Sequence, residues 1–391
     1  MNLFKSIILL SYISVASASA AIITPALPAI ASSYHLDKGS LEWVITLFLL
    51  GYMIGQLVYG PIANRFGRLF ALRAGFAINI IGILCCMLSN HFHSYEGLLI
   101  GRTITALGAA AGLCCTFTLI HELMSEHQAK QALSYAILSF TLGIGAAILV
   151  GGYITQYFAW QDMFWVLLVH AVLVLASTVL FHEPAFKQHS IHVVAIAKAY
   201  MQAFSHKKLV IFSCFVGISS VFSYCYTAAA PIITHQRFGL TAAQYGGWNV
   251  LTMVGMCCGS LSAAALIKRL PPMKLLWLSI ILIIPCLLSL VAQYQLGSTS
   301  TLWFFLNATG LYFFTSWLYP CATLFASKAI DDKANASSSM NFINMAMAMI
   351  AVTVMGYLPF AAFASLMMVV SVYVVFCVLM YAICLTTKGQ C

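Results

Sequence analysis

The sequence is poor in charge, and above all in acids. Only 7 % of its 391 residues are Asp, Glu, Lys or Arg, and nine residues are acidic, whereas 62 % are hydrophobic. About a quarter of an average soluble protein is charged. A soluble globule of this composition could not cover its surface with polar groups, so a soluble enzyme, a disordered chain and a disulfide scaffold are excluded. An integral membrane protein remains.

Long apolar runs of the length needed to cross a bilayer recur along the whole chain. They are longer than the strands of a membrane β-barrel and show no period-two alternation. The sequence therefore predicts an all-α integral membrane protein with twelve transmembrane helices. The predicted spans are 6–31, 42–63, 69–89, 97–120, 132–155, 162–181, 209–232, 244–266, 275–292, 301–326, 336–358 and 362–385.

The cations predict the orientation, because Lys and Arg concentrate on the cytoplasmic side of membrane proteins. With both termini inside, the outer loops hold only Lys38 and Arg237, and Arg102 lies within a span. We expect a multi-pass protein of the cell inner membrane, and the basic balance does not suggest nucleic acid. The fifteen inside cations are Lys5, Arg65, Arg68, Arg73, Lys130, Lys187, Lys198, Lys207, Lys208, Lys268, Arg269, Lys274, Lys328, Lys333 and Lys388.

The first span resembles a signal peptide in part. Lys5 precedes an apolar run, and the small residues 17–21 are similar to a cleavage site. The apolar stretch nevertheless continues to Ala31, and cleavage would leave an odd number of spans. We therefore expect this segment to be retained.

Catalytic and metal-binding patterns are missing from the sequence. The thirteen cysteines form no CxxC pair, and no nucleophile–base pair is visible. We predict no enzyme activity, no metal and no cofactor, and treat a membrane enzyme or sensor as a remote alternative.

The chain divides into two halves of six spans. The longest polar connection, 182–208, separates an N-terminal half (1–181) from a C-terminal half (209–391), with 182–208 as a cytoplasmic linker. A Gly-x-x-x-Gly pair followed by an arginine occurs in span two and again 204 residues later in span eight. The residues are Gly51, Gly55 and Arg65, then Gly255, Gly259 and Arg269.

The loop after span two reads GPIANRFGR. It resembles the signature Gly-x-x-x-Asp-Arg-x-Gly-Arg of the major facilitator superfamily, which also has twelve spans in two halves. The resemblance implies a transporter that works by alternating access, usually as a monomer, with this loop as a conformational latch between the halves. An amide replaces the acid here, so we expect a weaker latch. The latch residues are Gly60, Asn64, Arg65, Gly67 and Arg68.

Further segments resemble the drug/proton antiporter branch of the bicyclomycin- and chloramphenicol-resistance type. The segment 25–31 (PALPAIA) is similar to that branch's Leu-Pro-Ala-Leu-Pro in span one, and 230–241 is similar to its span-seven exit. Trp160 and Phe164 match its sixth span, and Pro320 its tenth. The resemblance implies multidrug or metabolite efflux driven by a proton gradient.

The sequence departs from the pattern of this branch at three places, and each concerns residues that the resemblance links to proton coupling or gating. Ala21 stands where the branch has an acid in span one, Asn64 replaces the latch acid, and Ala147-Ile148 replaces the Gly-Pro of the span-five antiporter motif. That motif's other glycines remain as helix-packing residues, at Gly143, Gly151 and Gly152. An importer or exporter of a specific metabolite or siderophore-like anion, not coupled to protons, therefore stays open as an alternative.

Ionisable side chains within spans are costly and usually functional. All nine acids fall in loops or at span ends in this interpretation. Arg102 begins RTITALGAA, which resembles the superfamily's span-four motif Arg-x-x-Gln-Gly-x-Gly, and the resemblance implies an arginine near the substrate cavity. The alternative is that its long side chain extends to the outer interface.

His170 lies midway along span six and is the proton-coupling candidate, because histidine titrates near physiological pH. The alternative, a neutral histidine bonded to a neighbouring helix, is favoured, since span six is peripheral in the superfamily.

The resemblance also implies that spans one, four, seven and ten line the cavity. Aromatic and amide side chains in spans seven and ten could form its amphipathic wall. With a single arginine as the cavity charge, we expect a neutral or anionic amphiphilic substrate. The wall candidates are Tyr224, Tyr226, Asn307, Tyr312 and Trp317.

Overall fold

The computed structural model describes residues 3–124, 126–183, 201–330 and 333–386. Within these ranges it leaves out the side chains of 3–4, 126–127, 129–138 and 333–334. Residues 184–200 of the predicted linker lie outside the described part. The chain divides into two compact units, Met1–His192 with Thr241–Gly247, and Val193–Leu240 with Trp248–Cys391.

The described residues form helices joined by short turns, and contain no strand. The first six spans are α1 Leu3–Ala21 with α2 Leu27–Ser33, α3 Lys38–Phe66, α4 Arg68–His91, α5 Tyr95–Leu123, α6 Glu126–Tyr157 and α7 Met163–Ser177. The last six are α8 Lys207–Phe238, α9 Ala242–Leu266, α10 Pro272–Gln295, α11 Thr301–Ser327, α12 Lys333–Tyr357 and α13 Ala362–Thr386. This confirms the predicted all-α membrane fold.

Eleven described segments are long and apolar enough to cross a membrane. The remaining predicted span, the tenth (301–326), is the 27-residue helix α11 and is not among them. Its two Trp, two Tyr, one Asn and one Pro lower its hydropathy, although Trp and Tyr are common in membrane helices near the interface.

The first span is interrupted, whereas the sequence predicted one continuous segment. Helix α1 ends at Ala21, a single 3-10 turn covers Thr24–Ala26, and α2 begins at Leu27. Pro25 and Pro28 explain the break, because proline supplies no backbone N–H and disfavours helix in the residue before it. The last carbonyls of α1 are therefore left without partners inside the helix.

The predicted glycine repeat corresponds to equivalent helix packing in the two units. A Cβ on Gly51 would overlap the carbonyl oxygen of Thr103, so α3 packs closely on α5. A Cβ on Gly255 would lie 2.7 Å from the carbonyl oxygen of Thr309, in the contact of α9 with α11. Small residues permit this close approach of membrane helices.

Candidate functional site

Arg102 lies in α5 and is fully buried inside the first unit. Its Nη1 donates a 2.5 Å hydrogen bond to the carbonyl oxygen of Ser19, in the last turn of α1. Its guanidinium carbon lies 4.3 Å from the centroid of the Phe48 ring. The side chain therefore points into the unit, towards α1 and α3, and does not extend to the outer interface.

The break in the first span leaves the Ser19 carbonyl available to accept the hydrogen bond from Arg102. Because α1 ends at Ala21, the Ser19 carbonyl belongs to the last helical turn, where a cation is favourable. Two further donors of Arg102, Nε and Nη2, are buried and have no hydrogen-bond partner in the described part of the chain. A buried donor without a partner is costly, so this guanidinium is suited to receive an anionic or carbonyl oxygen.

The second unit has no arginine at the equivalent place. In the first unit Gly51 packs against the carbonyl of Thr103, and in the second unit Gly255 packs against the carbonyl of Thr309. Thr309 is therefore the counterpart of Thr103. The residue before Thr309 is Ala308, which is buried and stands where the first unit has Arg102. The positive charge thus belongs to one of the two related units.

A cluster of polar aromatic residues lies inside the second unit, between α8, α9 and α11. Tyr226 donates a hydrogen bond to Oδ1 of Asn249 at 3.3 Å. The hydroxyls of Tyr312 and Ser223 are 3.3 Å apart, and the rings of Tyr226 and Tyr312 meet edge to face at 5.6 Å. Tyr226, Asn249 and Tyr312 are buried. This tyrosine cluster offers rings with hydroxyl and amide groups at one place.

Two predicted wall residues lie outside the tyrosine cluster. Asn307 donates to the carbonyl of Trp303 within α11, and Trp317 donates to Oγ of Ser262 on α9 at 2.8 Å. Each is five residues from Tyr312, about 140° around the helix, so they face other neighbours. Tyr224 lies in α8 and is partly exposed.

His170 packs against the first span. Its Nε2 lies 3.2 Å from Oγ of Ser14, and that hydroxyl donates its proton to the carbonyl of Ser11 at 2.6 Å. The imidazole is therefore the donor in the contact with Ser14. This is the arrangement expected of a neutral histidine that joins two helices.

The signature loop is held together by Arg68. Its guanidinium donates to Oδ1 of Asn64 at 2.8 Å and to the carbonyl of Ala63 at 2.7 Å. Its Nε lies 3.2 Å from a carboxylate oxygen of Glu122, at the end of α5. Arg65 is exposed, and a Cβ on Gly60 would meet nothing within 4 Å.

Glu183 is a residue that the sequence did not single out. Its carboxylate accepts hydrogen bonds from the backbone N–H groups of Arg68, Leu69 and Phe70, at 2.5, 2.9 and 3.3 Å. It thereby caps the first turn of α4. Gly67 stands beside it with φ +108°, and a Cβ there would lie 2.7 Å from the Glu183 carboxyl carbon. No local pattern marks this contact.

Glu42 is the second residue that the sequence undervalued. The span was predicted to start at this residue, but α3 begins four residues earlier, so Glu42 lies in its second turn. It is 4 % exposed, and no other acid whose side chain the structure describes is buried. Lys38, one turn earlier in α3, interacts with it electrostatically.

The span-five glycines pack α6 onto the first span. A Cβ on Gly143 would overlap Oγ of Ser17, and a Cβ on Gly151 would overlap the carbonyl of Ile22. Gly152 is buried in the same helix. These glycines therefore permit close packing even though the Gly-Pro of the motif is absent.

The sequence profile of the Major Facilitator Superfamily matches residues 9–352. The chain belongs to this superfamily. It is accordingly a multi-pass membrane protein, and its family points to transport and not to an enzyme activity. Its fold is similar to that of the xylose transporter XylE from E. coli in an inward open conformation, with a TM-score of 0.76 and 14 % identity over 97 % of this chain and 96 % of XylE.

Curated relatives of this chain carry different functional names. A bicyclomycin resistance protein homolog of Haemophilus influenzae is 23 % identical over 59 % of this chain, in agreement with the predicted branch. The 4-hydroxybenzoate transporter PcaK of Pseudomonas aeruginosa is 30 % identical over 40 % of this chain. The chain covers 58 % and 34 % of these two relatives, less than two thirds of either.

Proposed function

We propose that this transporter moves a small neutral or anionic amphiphilic molecule across the inner membrane by alternating access. Arg102 is the observation that carries the proposal. It is a fully buried cation with two donor atoms that no described residue satisfies. Its electrostatic complement is an oxygen anion or a carbonyl group.

No protein carboxylate balances the charge of Arg102 in the described part of the chain, where the one Arg–carboxylate pair within 4.0 Å is Arg68–Glu122. Buried charges in proteins are usually paired. A substrate carboxylate would supply the missing partner, and the adjoining Phe48 ring offers an apolar surface. A lipophilic cation would be repelled.

A transport panel with internal controls tests this proposal. We expect Arg102→Gln to slow transport of carboxylate-bearing compounds about tenfold or more, because a charge-assisted hydrogen bond is lost. Transport of neutral phenicol-like compounds should change less, and Arg102→Lys should recover part of the anion transport. A preference of the wild-type protein for lipophilic cations would contradict the proposal.

We further propose efflux by proton antiport, with Glu42 as the coupling carboxylate. The likeness to a bicyclomycin resistance protein homolog supports efflux. Burial of Glu42 supports its role, because a buried carboxylate is costly when ionised and so responds to its protonation state. The bond to Ser14 makes His170 a weaker candidate.

Counterflow and gradient-driven transport in proteoliposomes separate binding from coupling. We expect Glu42→Gln to keep counterflow within about twofold but to abolish the response to an imposed pH gradient, because glutamine cannot release a proton. Asp37→Asn is the matched control, since Asp37 is an exposed acid five residues earlier. A normal gradient response in Glu42→Gln would refute this role.

Import of a metabolite or siderophore-like anion is the second candidate function. Ala21 and Ala147-Ile148, which replace the antiporters' acid and Gly-Pro, favour it, as does the likeness to a transporter named for the anion 4-hydroxybenzoate. Accumulation of such an anion by energised cells, with no effect of the pH gradient, would support import. Energy-dependent exclusion of the same compound would support efflux.

We also propose that both termini lie in the cytoplasm, that the protein is a monomer and that it uses no cofactor. The proton gradient is the proposed source of energy. With this orientation, fifteen Lys and Arg residues lie on the cytoplasmic side and two lie in the outer loops, and this imbalance supports it. Protease treatment of oriented spheroplasts carrying terminal tags checks it, and both tags should remain protected until the membrane is opened.

A further inference from the structure

Arg237 is held in an unusual setting at the last turn of α8. Its Nη2 lies 3.4 Å from the carbonyl oxygens of both Gln293 and Tyr294, at the end of α10. Its guanidinium carbon lies 5.2 Å from the ring centroids of Tyr294 and Phe363. The two rings meet edge to face at 5.6 Å, so Arg237 is fixed in a corner between them.

The described residues of the second unit include no acid that could balance the charge of this guanidinium. After residue 200 the sequence contains two acids, Asp331 and Asp332, which follow α11. The start of α11 lies near Arg237, because Gln293 donates a hydrogen bond to the carbonyl of Ser300. A 27-residue helix is about 40 Å long, so Ser327, the last residue of α11, lies far from this guanidinium.

An apolar groove of about 290 Å³ begins beside this corner, between α10 and α13. The groove is lined by Tyr294, which also contacts Arg237 through its ring and its carbonyl oxygen. Val291, Phe360, Ala364 and Met367 also line it. This volume is at the lower limit of about 300 Å³ for small-molecule sites, but a hydrocarbon chain needs little width. The groove runs from the end of the spans into their apolar part.

We propose that the groove and Arg237 form a binding site for an anionic phospholipid of the adjoining leaflet. The phosphate lies against the Arg237 guanidinium, which is positioned by the carbonyls and the rings. One acyl chain lies in the groove between α10 and α13. The combination of an uncompensated cation with a contiguous apolar groove matches the two parts of such a lipid. This site is separate from Arg102 and does not depend on the transported substrate.

The test is lipid binding to the purified full-length protein in a maltoside detergent. Phosphatidylglycerol is titrated against phosphatidylcholine with the same acyl chains, and bound lipid is counted by native mass spectrometry together with thermal stability. We expect Arg237→Gln to bind phosphatidylglycerol about tenfold more weakly, because a charge-assisted contact is lost. Ala364→Trp should prevent binding by filling the groove.

Matched controls separate this site from general lipid effects. Lys38→Gln removes the other cation predicted at this end of the spans, and Leu288→Trp enlarges an exposed side chain of α10 outside the groove. Both should bind phosphatidylglycerol like the wild type. Equal binding by Ala364→Trp or Arg237→Gln, equal affinity for phosphatidylcholine, or a dimer that Ala364→Trp disrupts would overturn the proposal.

Discussion

Oε2 of Glu183 accepts a hydrogen bond from the backbone N–H of Leu69 at 2.9 Å, across 114 residues of chain. The segment after the sixth span thereby caps the first turn of the third span. A second contact runs beside it, where Arg73 donates to the hydroxyl and the carbonyl of Thr178 at 3.1 and 3.0 Å. An anion at the start of α4 and a cation at the carbonyl end of the sixth span both match the polarity of the helix ends.

The first prediction concerns this cap. Glu183→Ala should lower the free energy of unfolding by about 1 kcal/mol, because the first turn of α4 loses its acceptor. Glu183→Gln should lose less, since an amide oxygen still accepts. Thermal unfolding in detergent measures the difference. Glu96→Ala is the control, because Glu96 lies in the first turn of α5, where Ser94 is the capping residue, and its loss should cost only a few tenths of a kcal/mol. Equal losses for both alanine variants would contradict the cap.

Two glycines of the signature loop should respond differently to alanine. Gly67→Ala places a Cβ at φ +108° and against the Glu183 carboxyl group, so we expect a loss of about 1–3 kcal/mol. Gly60→Ala meets nothing within 4 Å and should be neutral or slightly stabilising. Unfolding midpoints of the two variants check this. A tolerated Gly67→Ala would mean that the cap is dispensable.

Close packing of α3 on α5 gives the third prediction. Gly51→Ala would force the helices apart at the carbonyl of Thr103, at a cost of about 1–3 kcal/mol. Gly247→Ala, in a helix with nothing within 4 Å of the new Cβ, is the control. We expect the first variant to unfold at a lower temperature and the second to match the wild type.

A pH effect is expected at the start of α3. Asp37 accepts a hydrogen bond from the backbone N–H of Ser40, and the hydrogen bonds from the Ser40 side chain and backbone lower the pKa of its carboxyl group. A lowered pKa in the folded protein means that this contact stabilises above the ordinary Asp range. The stabilisation is lost as the pH falls through the lowered pKa.

Hydrogen exchange of the first turn of α3, followed from neutral pH into the acidic range, measures this effect. The wild type should lose protection on acidification. Asp37→Asn keeps an acceptor without a titrating group, so its protection should change less with pH. Parallel curves for both proteins would rule out Asp37 as the cause.

His170 should prove structural. Since its Nε2 donates to Ser14, glutamine can replace the donor, and we expect His170→Gln to keep both stability and the response to a pH gradient. His170→Leu should lose about 1 kcal/mol of stability because the hydroxyl oxygen of Ser14 loses a donor. Gradient-driven transport by both variants is the measurement, and loss of coupling in His170→Gln would restore the proton-carrier interpretation.

Local patterns predicted most of the architecture. Hydropathy located the membrane helices, and the prolines at 25 and 28 were visible, but the break that they cause at Ala21 was not predicted. The reason is that hydropathy averages over a window and ignores backbone donors. The signature loop likewise identified the superfamily, while the acceptor for the backbone N–H groups that follow Gly67 is Glu183, a residue far away in sequence.

The candidate site was predicted in part. Arg102 stood out because a cation within a span is rare, and Tyr226 and Tyr312 do lie together. Asn307 and Trp317 fall on other faces of α11, which composition could not distinguish. Glu42 was undervalued because the start of α3 was placed four residues too late.

The sequence by itself determined that this chain spans a membrane with long helices, that it carries the signature of its superfamily, and that its acids are few. These properties are local or additive, so composition and spacing are enough. The tertiary structure decided which groups meet: Arg102 with the Ser19 carbonyl, His170 with Ser14, and Glu183 with the start of α4. Such contacts join residues 83 to 156 positions apart, and helix packing, not sequence spacing, brings them together.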